Sequence, residues 1–265
     1  MCFKIAARSN LMQFLKCLIL LAVKRFKFKL SRQHKKYLKK SLPIIAGTFL
    51  LYLLISYLML PDCKELKTKN PTYSSLMQQQ IDEAESEGRV FKISHKFVPL
   101  SSISPDLMRA VILGEDFDFF GHDGFDFTAF KEALLEAWLE FRLPRGASTI
   151  TQQLAKNLYL NNSWSILRKF KEYIIAGRLE KELSKKRILE LYLNYIEWGE
   201  GVFGAEAAAR HYFQESAADL SSNEAAFLAA IVPSPLGAFH PKKHAQRVNE
   251  RKKILMRKMY QVQLP

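Results

Sequence analysis

Four polar clusters between residues 115 and 213 hold the side chains able to do chemistry. The first, EDFDFFGHDGFD at residues 115–126, sets Glu115 and Asp116 among phenylalanines. A carboxylate in partly apolar surroundings has its pKa raised, which suits a general base or acid near neutral pH. The second is GASTITQQLAKNLYL, residues 146–160. At helical spacing Thr149, Gln153 and Lys156 fall within an arc of roughly 60°, while Ile150, Leu154 and Leu158 face away. A helix start with free N–H groups, hydroxyls and a lysine on one face suits an anionic phosphate. The third is Arg168-Lys169-x-x-Glu172, opposite Leu167, Phe170 and Ile174 on one helix. The fourth spans residues 185–213, where Glu190 and Asn194 read as hydrogen-bonders of the scaffold before a turn at Gly199 and Gly201. Each cluster also has an ordinary reading: a Phe-rich loop completing the core, an amphipathic helix, or an i,i+4 ion pair worth a few tenths of a kcal/mol.

The elements that position these clusters are mostly helical. Pro105 stands at a favoured first helical position, with Ser104 as its expected cap. Apolar periodicity predicts further helices over 127–143, 149–160, 165–183, 184–195, 204–213, 222–232 and 242–259. Thr149 and Gln152 form a capping-box pattern. Arg89 to Leu100 alternates apolar with polar and is the one convincing strand-like stretch. The expected architecture is mainly α with at most a small β-hairpin.

Charge divides the chain. The formal net charge is +14, but residues 1–61 carry 12 basic and no acidic side chains, leaving 28 basic against 26 acidic in the remainder. The nearly neutral remainder argues against a nucleic-acid partner. Residues 41–60 (SLPIIAGTFLLYLLISYLML) are uncharged and, at 1.5 Å per residue, make about 30 Å of helix, the thickness of a bilayer core. Arg32, Lys35, Lys36, Lys39 and Lys40 precede this run; Asp62 and Glu65 follow it. That asymmetry predicts a single-pass protein with its N-terminus in the cytoplasm and the rest translocated. The run is too long, and starts too late, for a cleaved signal peptide. A shorter run, residues 11–23, is interrupted by Lys16 and reads better as a helix lying on the inner leaflet than as a second span, which would place the catalytic domain in the cytoplasm. The sequence therefore divides into a basic tail (1–40), a transmembrane helix (41–60), a stalk or leading helix (61–89) and a catalytic domain (90–265). Cys2, Cys17 and Cys63 make no disulfide framework.

The order of the four clusters resembles the peptidoglycan glycosyltransferases, whose fold is lysozyme-like. Glu115, Asp116, Phe119, His122 and Gly124 match that family's first motif. Gly146, Ser148, Thr149, Thr151, Gln152, Gln153, Lys156 and Asn157 match the second. Arg168, Lys169 and Glu172 match the third; Lys185, Ile188, Leu189, Glu190, Tyr192, Leu193 and Asn194 match the fourth. The resemblance spans roughly residues 90–260 and departs from the pattern at a final Arg-Arg doublet. There Glu250 replaces the first arginine and Arg251 is a candidate for the same role. The segment from Trp198 to Glu206 looks like the monofunctional Gram-negative type.

The resemblance implies an enzyme that polymerises the lipid-linked disaccharide-peptide of bacterial peptidoglycan (lipid II) into β-1,4 glycan with inversion, releasing undecaprenyl pyrophosphate. It implies Glu115 as the base and Glu172 as a second catalytic residue that orients the pyrophosphate-binding cations or a bound divalent ion. Asp116, His122, Ser148, Thr149, Gln153, Lys156, Asn157, Arg168 and Lys169 would bind substrate. No cofactor is required by the resemblance; a divalent cation, Mg or Mn, is a candidate at the pyrophosphate. The expected partners are lipid II, the growing lipid-linked glycan, the membrane and wall-synthesis or division proteins. The expected place is the bacterial inner membrane, with the catalytic domain periplasmic. The rivals are a lysozyme-like glycan hydrolase and an inactive wall-synthesis scaffold.

Overall fold

A computed structural model describes residues 32–140, 148–161 and 165–265. The apolar run at 11–23, Cys2, Cys17 and Gly146 lie outside them. The chain divides into two compact units, one ending at Met59 and the other spanning Leu60–Pro265. The first unit contains helix α1 (Arg32–Leu58), which continues past Pro43. Its Ser41–Leu58 stretch is long and apolar enough to cross a membrane, and side chains such as Phe49, Leu51 and Leu54 are exposed.

The second unit is mainly α, as expected. Residues 61–89 pack onto it: Cys63, Leu66, Met77 and Ala84 are buried, and α2 (Ser75–Ser86) starts at the capping serine Ser74. Arg178 donates to the carbonyls of Leu60 and Pro61 at 2.8 and 3.1 Å, and Arg187 donates to that of Leu66 at 2.8 Å. Cys63 is a free thiol among the described residues; burial pushes its pKa up to about 11.

Helices α3 (Pro105–Glu115), α4 (Phe127–Glu140), α5 (Ile150–Tyr159), α6 (Ile166–Glu182) and α7 (Lys185–Tyr195) follow. After a small sheet come α8 (Ala205–Phe213), α9 (Ser222–Ile231) and α10 (Ala245–Lys258). Helix α5 begins at the Thr149–Gln152 capping box that its sequence predicts. It packs on α6 and α7, while α9 packs between α3 and α10. Helix α9 is apolar on nearly every side, with Ala225, Ala226, Leu228, Ala229, Ala230 and Ile231 buried, as a helix enclosed by its neighbours requires. Pro105 holds the first position of α3, but Ser104 does not cap it: its hydroxyl donates instead to the carbonyl of Leu220 at 3.2 Å.

The strand expected over 89–100 shrinks to Ser94–His95 (β1), which pairs parallel to β3 (Val202–Phe203). Strand β2 (Glu197–Gly199) lies antiparallel to β3 on the other side, so the sheet has three strands in the order β1-β3-β2, not only a hairpin. The physical reason is that side chains of α7 replace a ladder. Asn194 accepts from the Val98 amide and donates to the Val98 carbonyl, both at 2.9 Å, and Glu190 accepts from the Leu100 amide at 2.8 Å. Gly204 (φ 84°) brings the backbone against α7, where a Cβ would lie 2.6 Å from the Asn194 carbonyl.

Asn194 is fully buried. Its replacement by alanine strands both polar groups of Val98, each worth about 1–3 kcal/mol when buried without a partner. Thermal unfolding of Asn194→Ala should therefore show a loss of roughly 2–4 kcal/mol; an unchanged Tm would refute the ladder-replacement account.

Candidate active site

The first motif forms the turn after α3, and its polar atoms hold that turn to the start of α5. Asp116 is buried and accepts twice: from His122 Nε2 at 2.8 Å and from the Ile150 amide at 2.9 Å. His122 Nδ1 accepts from the Gly124 amide at 3.1 Å, and the Gly124 carbonyl accepts from the Thr149 hydroxyl at 2.8 Å. This closed ring joins Asp116, His122, Gly124 and Thr149. Gly124 adopts φ 83°, where a Cβ would also press to 2.9 Å from the Glu180 side chain.

That ring sets the position of Glu115, the last residue of α3. Its side chain is only 9% exposed, and both carboxylate oxygens accept hydrogen bonds. Gln153 Nε2 donates to one at 2.9 Å and Arg251 Nη2 to the other at 2.9 Å. Tyr192 in turn donates its hydroxyl to Gln153 Oε1 at 2.9 Å, which fixes the amide orientation. Burial raises the pKa of Glu115; the Gln153 hydrogen bond and the Arg251 charge oppose the rise, and Asp116 adds to it. Burial also pushes Tyr192 far above the ordinary phenol range, so it remains a donor.

The third motif forms a cationic cluster around one buried acid. Glu172, 2% exposed, accepts from Arg168 Nη1 at 2.7 Å through one oxygen and from Lys169 Nζ through the other. Lys169 also donates to Ser148 Oγ at 2.9 Å. Lys156 comes from the opposite helix, α5, and makes no ion pair among the described residues. Burial lowers its pKa; Glu172 raises it, Arg168 and Lys169 lower it, and Glu197 raises it. Three cations surrounding one carboxylate leave an excess of positive charge that a polyanionic group would neutralise. Asn157 is buried one position beyond Lys156 on α5.

A groove of about 410 Å³ lies on the Glu115 side: Glu115, Asp116, Phe117, Ser148 and Thr149 are among its lining. Along it lies the buried carboxylate, and at Ser148 it reaches the Lys169–Glu172–Arg168 cluster. Glu115, Gln153, Ser148, Lys156, Arg168, Lys169 and Glu172 are thus brought into one connected region. Asp116, His122 and Thr149 build its frame. The sequence reading left Arg251 off the site; the signal for it was the family's arginine doublet, whose second position Arg251 occupies. Tyr192 was placed only within a motif, without the role of orienting Gln153.

The donor set does not fit a metal held by the protein. Among the described residues no three His, Cys, Asp or Glu side chains cluster as ligands, and both oxygens of Glu172 already face cations.

A hydrogen-bonded, buried carboxylate near a cationic cluster is compatible with an enzyme that transfers a group from a phosphate ester to a hydroxyl. Comparison with known proteins narrows the class. The sequence profile described as transglycosylase matches residues 82–260. A biosynthetic peptidoglycan transglycosylase of Chromobacterium violaceum is 41% identical over 230 residues, which is 87% of this chain and 99% of the relative. Proteins of the same name from Neisseria gonorrhoeae and Nitrosospira multiformis are 43% and 48% identical, covering 74% and 63% of this chain and 83% and 72% of their own lengths. The chain belongs to the transglycosylase family.

Removing the Arg251 charge takes away one of the two influences that hold the Glu115 pKa down. A base must be deprotonated to act, so Arg251→Met should move the acid limb of the pH–rate profile upward. Activity should recover on the alkaline side. An acid limb that stays in place would show that Arg251 does not tune Glu115.

Proposed function

We propose that this transglycosylase polymerises a lipid-linked disaccharide-peptide into β-1,4 glycan strands, acting as a peptidoglycan glycosyltransferase at the outer face of the bacterial inner membrane. The observation that carries the reading is the groove joining Glu115 to Ser148 and, through Lys169, to the cationic cluster. It supplies a base and a leaving-group pocket, the two needs of an inverting displacement at an anomeric carbon.

The acceptor sugar's 4-hydroxyl gives its proton to Glu115 as its oxygen attacks the donor's anomeric carbon. The bond from that carbon to the pyrophosphate oxygen breaks on the opposite face. Lys156, Arg168 and Lys169 hold the departing pyrophosphate, where positive groups offset charge that grows in the transition state. Ser148, Gln153 and Asn157 lend hydrogen bonds around the reacting groups. Glu172 orients Arg168 and Lys169 without needing to touch the sugar. A divalent cation would be held by the pyrophosphate itself, and no step depends on one here.

The apolar stretch Ser41–Leu58 anchors the enzyme where its lipid-linked substrates lie, with the basic flank on the cytoplasmic side. Phe127, Leu134, Leu135, Trp138 and Leu139 on α4 are exposed, together with Phe117, and this apolar surface fits contact with the outer leaflet. The hydrolytic alternative is disfavoured because cleavage of a neutral glycosidic bond has no use for the cationic set.

Purified full-length protein incubated with labelled lipid-linked precursor should give long, lipid-bearing glycan. Shortened strands from finished wall, with no polymer from precursor, would overturn the proposal. Glu115→Gln should lower the rate by about 10²–10⁴-fold while leaving substrate binding nearly intact, the usual loss when a general base is removed. Polymerisation measured with and without EDTA should differ less than wild type differs from Lys156→Met. The reverse order would place a metal, rather than Lys156, at the leaving group.

A further inference from the structure

A second groove, of about 610 Å³, lies on the same catalytic unit, between α2, the turn joining β2 to β3, α8 and the segment 235–243. Its size suits a small ligand. Its inner end is Gln80, whose Nε2 donates to Glu197 Oε1 at 2.9 Å. Glu197 lies within the electrostatic reach of Lys156, and α2 packs directly on α5, which carries Lys156. Gln80 and Glu197 therefore stand between the groove and the helix that carries Lys156.

The lining carries both signs of charge. Lys242 and Lys243 are exposed on one side and make no ion pair among the described residues. Beside them His240 accepts from the amides of Lys242 and Lys243 through Nδ1, at 3.2 and 3.3 Å, which leaves Nε2 as a donor. Glu83 and Glu200 supply carboxylates on the other walls. Phe91 and Tyr212 give flat apolar surface between them, and the Tyr212 hydroxyl is turned away to the Trp198 carbonyl at 2.8 Å. Gly199 keeps this floor open, because a Cβ there would lie 2.9 Å from the Tyr212 hydroxyl.

We propose that this groove binds the peptide arm of the lipid-linked substrate, a short peptide carrying both carboxylates and an amine. The inference rests on the function proposed above. A purely anionic ligand would be repelled by Glu83 and Glu200, and a flat membrane surface cannot enter a concave groove. A peptide offers carboxylates to Lys242, Lys243 and His240, an amine to Glu83 or Glu200, and apolar side chains to Phe91 and Tyr212. The Gln80–Glu197 hydrogen bond and the packing of α2 on α5 link the groove to the helix that carries Lys156, which puts a peptide borne by the same substrate within reach.

The test crosses substrate with enzyme. Full-length wild type and a Lys242→Glu/Lys243→Glu variant are each assayed on precursor with the complete peptide and on precursor trimmed to its first peptide residue. Wild type should show a KM about tenfold higher for the trimmed substrate, the effect of losing one or two charged contacts. The variant should show the same rise in KM on the complete substrate, little change in kcat, and no further loss on the trimmed one. Glu200→Lys should behave alike if the amine is read there. Equal losses on both substrates, or a wild type indifferent to trimming, would overturn the groove assignment while leaving the transferase reading intact. No polymer from either substrate would sink both.

Discussion

The reaction proposed for the catalytic unit turns on keeping one buried carboxylate, Glu115, available as a proton acceptor. Glu115 sits at the C-terminal end of α3, where the helix's own carbonyls disfavour negative charge, and it is largely removed from water. Burial of an unpaired carboxylate would cost several kcal/mol and would be relieved by protonation. Here it is relieved by partners from two distant segments. Gln153 arrives on α5 and Arg251 on α10, so the packing of both helices near the end of α3 is a condition for the base to exist. The Asp116–His122–Gly124–Thr149 ring fixes the same junction from the loop side. Helix packing and acid–base chemistry are one constraint.

The leaving-group pocket solves the opposite problem. Lys156, Arg168 and Lys169 repel each other, and at a few ångströms that repulsion amounts to some kcal/mol even at an effective dielectric constant of about 20. Glu172, buried between Arg168 and Lys169, lowers the cost without cancelling the charge. The residual positive field is what a pyrophosphate would meet. On this account Glu172 serves through the cations it holds, which separates its role from that of Glu115 although both are buried acids. It also explains why Lys156 stands on a different helix from the other two: a cation contributed across the pocket, from α5, encloses an anion that α6 alone would only line.

Much of this was legible in the sequence because helices report themselves locally. The arc of Thr149, Gln153 and Lys156, the capping box and the Arg168–Lys169–Glu172 face follow from a period of 3.6, and all appear in the structure. The strand of 89–100 did not survive, because alternation records which side chains are buried and not what pairs with the backbone. There the partner was Asn194, a helix side chain no periodicity can reveal. Ser104 failed as a cap for a similar reason, since a carbonyl 116 residues away competed for its hydroxyl. Arg251 and Tyr192 belong to the same kind: their roles depend on contacts of long sequence separation, at 136 and 39 residues from their partners. Local signals identify which residues can do chemistry; long-range packing decides which of them meet.

The choice between building and cleaving glycan rests on the environment of Glu115. A hydrolase that protonates a neutral leaving group needs a carboxylic acid kept neutral, best achieved by an apolar pocket without cationic partners. In this chain both oxygens of Glu115 accept hydrogen bonds, one of them from a guanidinium, and such contacts favour the ionised form. The group is set up as a base by opposing influences: burial makes its proton affinity higher than that of an exposed carboxylate, while Gln153 and Arg251 work against that rise. A pyrophosphate needs no proton to leave once cations surround it, so no second, neutral acid is required. The two halves of the site agree on the same chemistry, because an anionic leaving group removes the need for an acid and a hydroxyl nucleophile creates the need for a base.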